Sequence, residues 1–266
     1  MIQSVSKQQS VIKPQSKPRP VLGEFGKGID GSLALSFGVS GGKNCDSRCA
    51  ELLSGKCYSI VIERRHDRKQ LLGKLQRHQA MGAAQVCGMA ILEVQRLVDK
   101  GIVIPWFRFS TAGSLPPAGN ANKLFLRQLR ALVSVLIING IPIHIPIESA
   151  EKTEFYREAL AGLNVVIRES LQAEGEHLTR EGAVSFRAGA EITSGKNIRA
   201  RRVERARIEA KKRFELTGRK TIVCPAVVSG WKRRAGKRGE LKAAAIKCGS
   251  CTACSVGHID VVYPHH

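Results

Sequence analysis

Short apolar, β-branched runs alternate with amphipathic stretches along most of the chain, and each run stops at small polar or charged residues. Leu33-Ala-Leu-Ser-Phe-Gly-Val39, Val103-Ile-Pro-Trp-Phe-Arg-Phe109, Pro142-Ile-His-Ile-Pro-Ile147, Asn164-Val-Val-Ile-Arg168 and Ala183-Val-Ser-Phe186 read as strands. Between the first two, Glu63 to Lys100 carries apolar residues at 71, 72, 75, 86, 90, 91, 94, 97 and 98. This three-and-four spacing predicts two helices meeting near Ala80–Gly82, with Gly101 as the closing C-cap. Further helices are expected over Ala121 to Ile138 and Lys152 to Leu160. Strands alternating with helices at this spacing predict a parallel α/β body. Cys87 shares the buried stripe of its helix and reads as a small core residue.

In parallel α/β folds ligands bind just beyond the carboxyl ends of the strands. Those ends carry Ser110, Thr111, Gly113 and Ser114, then Glu148-Ser149, then Arg168-Glu169-Ser170 in a loop. Taken singly, Ser149 and Ser170 read as helix N-caps. Taken together, and with cysteines directly after the first strand, the strand ends predict a site.

Eight cysteines stand at 45, 49, 57, 87, 224, 248, 251 and 254. Nothing in the first twenty residues has the apolar core of a signal peptide, so metal or iron–sulfur ligation is expected before disulfides. Cys248-x2-Cys251-x2-Cys254 places three thiolates on a tight turn, and Cys224-Pro225 supplies a remote fourth. Iron–sulfur ligation, structural zinc and redox-active thiols all use such a set, and three closely wound cysteines with a distant Cys-Pro suit a cubane best. Cys45, Cys49 and Cys57 form a set of three, with His66 the nearest candidate for a fourth zinc ligand. Three thiolates alone leave one iron of a cluster open to a small molecule; a structural site or unmetallated thiols are the alternatives.

The charge is placed unevenly. The chain has a formal charge of +21, and residues 199–247 hold 17 Lys/Arg against four acids. Residues 1–20 add Lys7, Lys13, Lys17 and Arg19 with no acid. Such an excess predicts a polyanionic partner, nucleic acid first. Candidate phosphate contacts are Arg201, Arg202, Arg205, Lys211 and Lys212 on a basic helix at 197–216, and Lys232, Arg233, Arg234, Lys237 and Arg238 in the loop beyond it. The most apolar run, Ala131 to Ile147, is interrupted by Asn139, Gly140, Pro142, His144 and Pro146, so no membrane span is expected and a cytoplasmic location is. His78 and His144 read as core or surface histidines, and no paired carboxylates or His-x-His motif points to a nuclease.

Three cysteines after strand one, a Gly-containing end of strand two and a C-terminal cysteine cluster resemble radical S-adenosylmethionine enzymes with an auxiliary cluster. More narrowly, Asn44-Cys45, Cys57-Tyr58-Ser59, Arg108-Phe-Ser-Thr-Ala-Gly113 and Val223-Cys-Pro-Ala with Cys248-Gly-Ser-Cys-Thr-Ala-Cys254 are similar to a phage and plasmid family named for mycobacteriophage gene product eighty-eight. The resemblance spans residues 33 to 263. It implies that Cys45, Cys49 and Cys57 hold a [4Fe–4S] cluster whose open iron chelates S-adenosylmethionine, cleaved by one electron to a hydrogen-abstracting 5′-deoxyadenosyl radical. It implies that Ser110 to Ser114 approach the methionine amino group, and that Glu148, Arg168 and Glu169 are ribose or carboxylate contacts. It gives a second cluster to Cys224, Cys248, Cys251 and Cys254. The chain departs from the superfamily pattern in the seven-residue gap before Cys57, in Lys56 before that cysteine, and in Ala112-Gly113-Ser114 where Gly-Gly-Glu is usual.

The sequence thus predicts an α/β chain: a flexible basic arm at 1–30, a partial parallel (β/α) barrel-like body at 31–195, and a basic helix with a small cysteine-cluster lobe at 196–266. The expected function is an iron–sulfur, radical-SAM-like enzyme acting on or with nucleic acid. The alternative is a non-enzymatic nucleic-acid-binding protein with structural zinc or iron–sulfur sites.

Overall fold

A computed structural model describes residues 20–24, 32–38, 69–109, 114–171, 178, 180–188, 197–225 and 253–263. Its elements in chain order are β1 (Gly23–Glu24), β2 (Leu33–Leu35), α1 (Lys69–Met81), α2 (Ala83–Asp99), β3 (Phe107–Phe109), α3 (Lys123–Ile138), β4 (Ile143–Ile147), α4 (Ala150–Ala159), β5 (Ile167–Leu171), β6 (Val184–Arg187), α5 (Ile198–Thr217), β7 (Lys220–Val223) and β8 (Ile259–Tyr263), with short 3₁₀ turns at Ala118–Asn120 and Ala253–Ser255.

The strands form one sheet in the order β1-β2-β3-β4-β5-β6-β8-β7. Seven of them, β2 to β8, run parallel, and β1 pairs antiparallel with β2 at one edge. The sheet is open, with β1 and β7 at its margins. This is the expected parallel α/β, barrel-like arrangement.

The pleat sorts side chains onto two unlike faces. Leu35, Phe107, Phe109, Ile143, Ile145, Ile147 and Ile167 bury against Val86, Ala90 and Val94 of α2, Phe125, Leu129, Leu132 and Leu136 of α3, and Tyr156 of α4. Leu171, Val184, Phe186 and Val262 do the same against Ala206 and Ala210 of α5. Helices therefore cover one face, and the alternate strand residues line the other, inner face. Cys87 sits in the helix-facing core with 0% exposure, and burial pushes its thiol pKa far up, as its place in the apolar stripe predicts.

Helix boundaries follow local chemistry. Gly82, at φ 83°, breaks α1 from α2 in the left-handed region that costs glycine little. The Asn122 side chain accepts from Phe125 N at 2.8 Å to start α3, and Ser149 caps α4 through Lys152 N. Gly218, at φ 68°, ends α5 with its N–H on Phe214 O at 2.8 Å.

Three expectations are corrected. The strand expected at 103–109 is confined to Phe107–Phe109: Pro105 has no N–H for the ladder, and Ile102 and Val103 are exposed. The strand expected at 164–168 is Ile167–Leu171, so Glu169 and Ser170 are strand residues, and Ser170 caps no helix. Its hydroxyl instead meets that of Ser185 at 3.1 Å.

The expected domain boundaries do not coincide with breaks in the sheet. Val21 and Leu22, inside the expected arm, are buried, and their amides donate to Glu93 Oε2 at 3.0 and 3.1 Å. The basic helix and the described part of the expected C-terminal lobe join the body: β8 pairs with β6, and β7 with β8. What holds α5 down is Asp260, fully buried on β8, which accepts from Arg213 Nε at 2.7 Å, Arg219 Nε at 3.1 Å and the Val184 amide at 3.0 Å. A buried carboxylate needs such partners, because an uncompensated charge there is costly. Arg213, equally buried, also donates to the carbonyls of Arg180 and Gly182.

Candidate thiolate site on the inner face

Cys224 and Cys254 come together. Cys224 directly follows β7, its amide held on Val262 O at 2.8 Å; Cys254 lies on the 3₁₀ turn ahead of β8. Both are buried, in one cluster with Trp106, Ile222, Ala253, Val261 and Tyr263. The other two members of the expected set, Cys248 and Cys251, lie outside the described residues, as do Cys45, Cys49 and Cys57. Among the described residues, no three potential ligands gather closely enough to hold a metal ion. Two buried cysteines, Cys224 and Cys254, are enclosed there by apolar and aromatic walls.

The turn that carries Cys254 is fixed by Arg168. This residue is fully buried on the inner face of β5. Its Nε donates to Cys254 O at 3.2 Å, one terminal nitrogen to Ala253 O at 3.2 Å and Val256 O at 3.0 Å, and the other to Val184 O at 2.7 Å. A planar guanidinium suits this task, since its donors fan out in a rigid fork. Burial lowers the pKa of the guanidinium, while Cys254, Tyr263 and Asp260 oppose that shift.

Two aromatic residues complete the wall. The Tyr263 hydroxyl lies 3.5 Å from Cys254 Sγ. The residue keeps some exposure overall, but its hydroxyl is enclosed; burial, reinforced by Cys254 and Cys224, pushes the phenol well above its ordinary pKa, and Arg108 acts the other way. Trp106 stacks on His144, with ring centroids 5.6 Å apart and planes at 16°. His144 is 2% exposed, and neither ring nitrogen has a partner among the described residues. Burial, then Arg108 and Arg168, holds its imidazole well below the ordinary histidine range, so it is neutral.

The remaining expected contacts do not all share this face. Glu148, at the end of β4, is paired with Lys152 Nζ at 2.7 Å. Glu169 follows Arg168 on β5 and therefore points to the helix side, buried and 3.4 Å from Arg180 Nε. There it lines a cleft of about 650 Å³ with Glu151, Glu154, Arg157, Arg180 and Glu181. Ser114 is half-buried just after β3, while Ser110, Thr111 and Gly113 lie outside the described residues. Arg168 and Glu169 are thus on opposite faces and do not converge on one ligand.

The expected phosphate-contacting helix is α5. Lys211 and Lys212 are 78% and 50% exposed at their side chains, Arg205 40%, and Arg201 is exposed as well. Glu209 takes both Arg205 and Lys212, at 3.3 and 3.5 Å, and Lys211 reaches Glu215 at 3.7 Å. The Lys211–Glu215 pair is exposed on both sides and contributes little, whereas Glu209 is itself buried and holds Arg205 and Lys212, cations that stay partly accessible. Lys232, Arg233, Arg234, Lys237 and Arg238 lie outside the described residues.

Sequence reasoning missed Tyr263, Trp106, Arg108 and the Asp260 hub. Their signal was periodicity: Trp106, Arg108, His144, Arg168 and Tyr263 occupy the positions that alternate with the helix-facing core residues. No helix among the described residues is long and apolar enough to cross a membrane. In comparisons with family models, curated proteins and solved structures, the chain matches none of them.

Proposed function

We propose that the chain is an iron–sulfur, radical-SAM-like enzyme that acts on or with nucleic acid. In this reading Cys224, Cys248, Cys251 and Cys254 hold one cluster, and Cys45, Cys49 and Cys57 a second that binds S-adenosylmethionine. The observation that supports it most is that Cys224 and Cys254 share one buried cluster on the inner face of a parallel α/β sheet. Zinc on the same four thiolates is the alternative occupant.

A cluster bound there supplies one-electron chemistry. The chain's own residues have simpler tasks. Arg168 sets the path of the cysteine turn, Trp106, Ile222 and Val261 exclude water, and Cys224 is fixed by its amide on Val262. The N-terminal cysteines follow β2, whose carboxyl end lies on the same side of the parallel sheet as that of β7. That common end is where ligands of such sheets bind. The family resemblance belongs to the same reading, as does a cytoplasmic location. Nucleic acid as partner rests on the charge of +21 and on the exposed cations of α5.

Anaerobic purification followed by iron, sulfide and zinc analysis tests this. Two clusters in the wild type and one in a Cys45/Cys49/Cys57→Ala variant are expected, with cleavage of S-adenosylmethionine to 5′-deoxyadenosine in the wild type only. Zinc alone, or no metal lost from the variant, refutes the enzymatic reading and favours a non-enzymatic nucleic-acid-binding protein.

A further inference from the structure

We propose that the pocket between the end of α4 and the start of β5 binds a small carboxylate with an apolar tail, its head group on Arg157 and its tail among the apolar walls. The site lies on the amino-terminal side of β5 and β6 and stands apart from the thiolates and from the reading above.

The pocket has a volume of about 280 Å³ and is walled by Leu160, Leu163, Val165, Ile167 and Ala183. Among the described residues that line it, Arg157 alone carries a charge. Apolar walls with a few convergent polar groups are the usual make-up of a small-molecule site, and this volume falls at the low end of the common range. A water in the liquid occupies about 30 Å³, so the space suits a ligand of roughly nine non-hydrogen atoms. The walls are fixed before anything binds. Arg130 Nη1 donates to Ala159 O at 2.6 Å and to Ala161 O at 3.2 Å. Leu163 N donates to Leu160 O at 3.1 Å and Val165 N to Leu163 O at 2.8 Å. Such preorganisation lowers the ordering cost of binding.

Arg157 fixes the sign of the ligand. Its guanidinium lies across Gly182, where a Cβ would stand 2.6 Å from one terminal nitrogen, so the seat needs a residue without a side chain. Gly182 also takes φ 78°, which costs glycine little. The other terminal nitrogen reaches Glu154 Oε2 at 3.4 Å, and the two side chains are 36% and 77% exposed. A pair this open to water contributes little. A carboxylate whose tail is buried meets the planar fork bidentately, and the walls add stabilisation in proportion to the apolar area covered. Arg157 also borders the charged cleft, where Glu151, Glu154 and Glu181 repel an anion, which leaves the apolar pocket as the approach.

The full chain, labelled at its Leu and Val methyl groups, is titrated by NMR with hexanoate, hexanol and hexylamine, which share one tail. Salt at about 0.15 M screens loose ion binding to a chain of charge +21. Hexanoate is expected to shift the methyl resonances of Leu160, Leu163, Val165 and Val166, and to bind about tenfold more tightly than the alcohol or the amine. In Arg157→Gln the preference for hexanoate over hexanol is expected to vanish. No shift, shifts confined to other methyls, equal affinities for the three compounds in the wild type, or a preference that survives in Arg157→Gln each overturn the inference. The wild-type comparison decides the matter even where Arg157→Gln fails to fold.

Discussion

Replacing Arg168 with methionine removes a side chain that ties β5 to the cysteine turn. Four donor contacts disappear, to the carbonyls of Cys254, Ala253, Val256 and Val184. Hydrogen bonds from a charged donor contribute roughly 1.5–3 kcal/mol each, which sets an upper limit for four. Two of the acceptors keep weak backbone partners, because Val256 N reaches Ala253 O at 3.4 Å and Ile259 N reaches Val256 O at 3.3 Å. Removing the buried charge also recovers part of its desolvation cost. The net destabilisation expected is about 3 kcal/mol, near the lower end for breaking a buried charged network. Arg168→Lys, with a point charge and no fork, retains part of the contact set and should fall between the two. Urea unfolding followed by circular dichroism reads the stability, and metal content after purification reads the turn. Loss of metal together with stability is expected in Arg168→Met, whereas Cys87→Ala, in the helix-facing core, loses stability and keeps its metal. An Arg168→Met protein within about 0.5 kcal/mol of wild type would refute the idea that this guanidinium organises the turn.

Asp260→Ala leaves Arg213 buried without its carboxylate and should cost about 3–5 kcal/mol by urea unfolding, with α5 the first element to lose hydrogen-exchange protection. His144 and His78 both have pKa values lowered chiefly by burial, so the unfolded chain binds their protons more readily. Their neutral forms stabilise the fold fully above about pH 6.5, and that stability is lost progressively as pH falls below it. The urea midpoint should therefore drop between pH 7.5 and pH 5.5, and His144→Phe should drop less. Lys211→Ala with Lys212→Ala should weaken binding to duplex DNA at every sequence and reduce the salt slope by about 2. An unchanged slope would place the contacts elsewhere.

Much of this fold was legible because strand alternation and helix punctuation act over short distances. The strand Ile143–Ile147 lies within the run 142–147 where the sequence places it, and the break between α1 and α2 falls at Gly82 because only a residue tolerating positive φ can make that turn. What was not legible depends on contacts distant in sequence. Nothing near Leu171 says that β5 starts three residues later than its most apolar stretch; that register follows from Ile145 pairing with Ile167. Likewise, the basic helix reads as a charged appendage until Asp260, 47 residues beyond Arg213, is seen to anchor it through that arginine. Arg168 looked like a ligand contact because it stands near a strand end. Its chain neighbour Glu169 faces the other way, and its own donors reach a turn some 85 residues further on. For the candidate site, the cysteine spacing groups Cys224 with Cys254, and both lie in one buried cluster, whereas Tyr263 carried no motif and emerges only from its place on β8.

The central claim is that Cys224 and Cys254 are ligands of one metal centre, and metal stoichiometry tests it most directly. Iron, sulfide and zinc per chain are measured after anaerobic purification of wild type, Cys224→Ser and Cys254→Ser, with Cys87→Ser as the reference thiol. The account predicts that each of the first two substitutions removes the same metal complement and that Cys87→Ser removes none. Equal metal in all four proteins would contradict it.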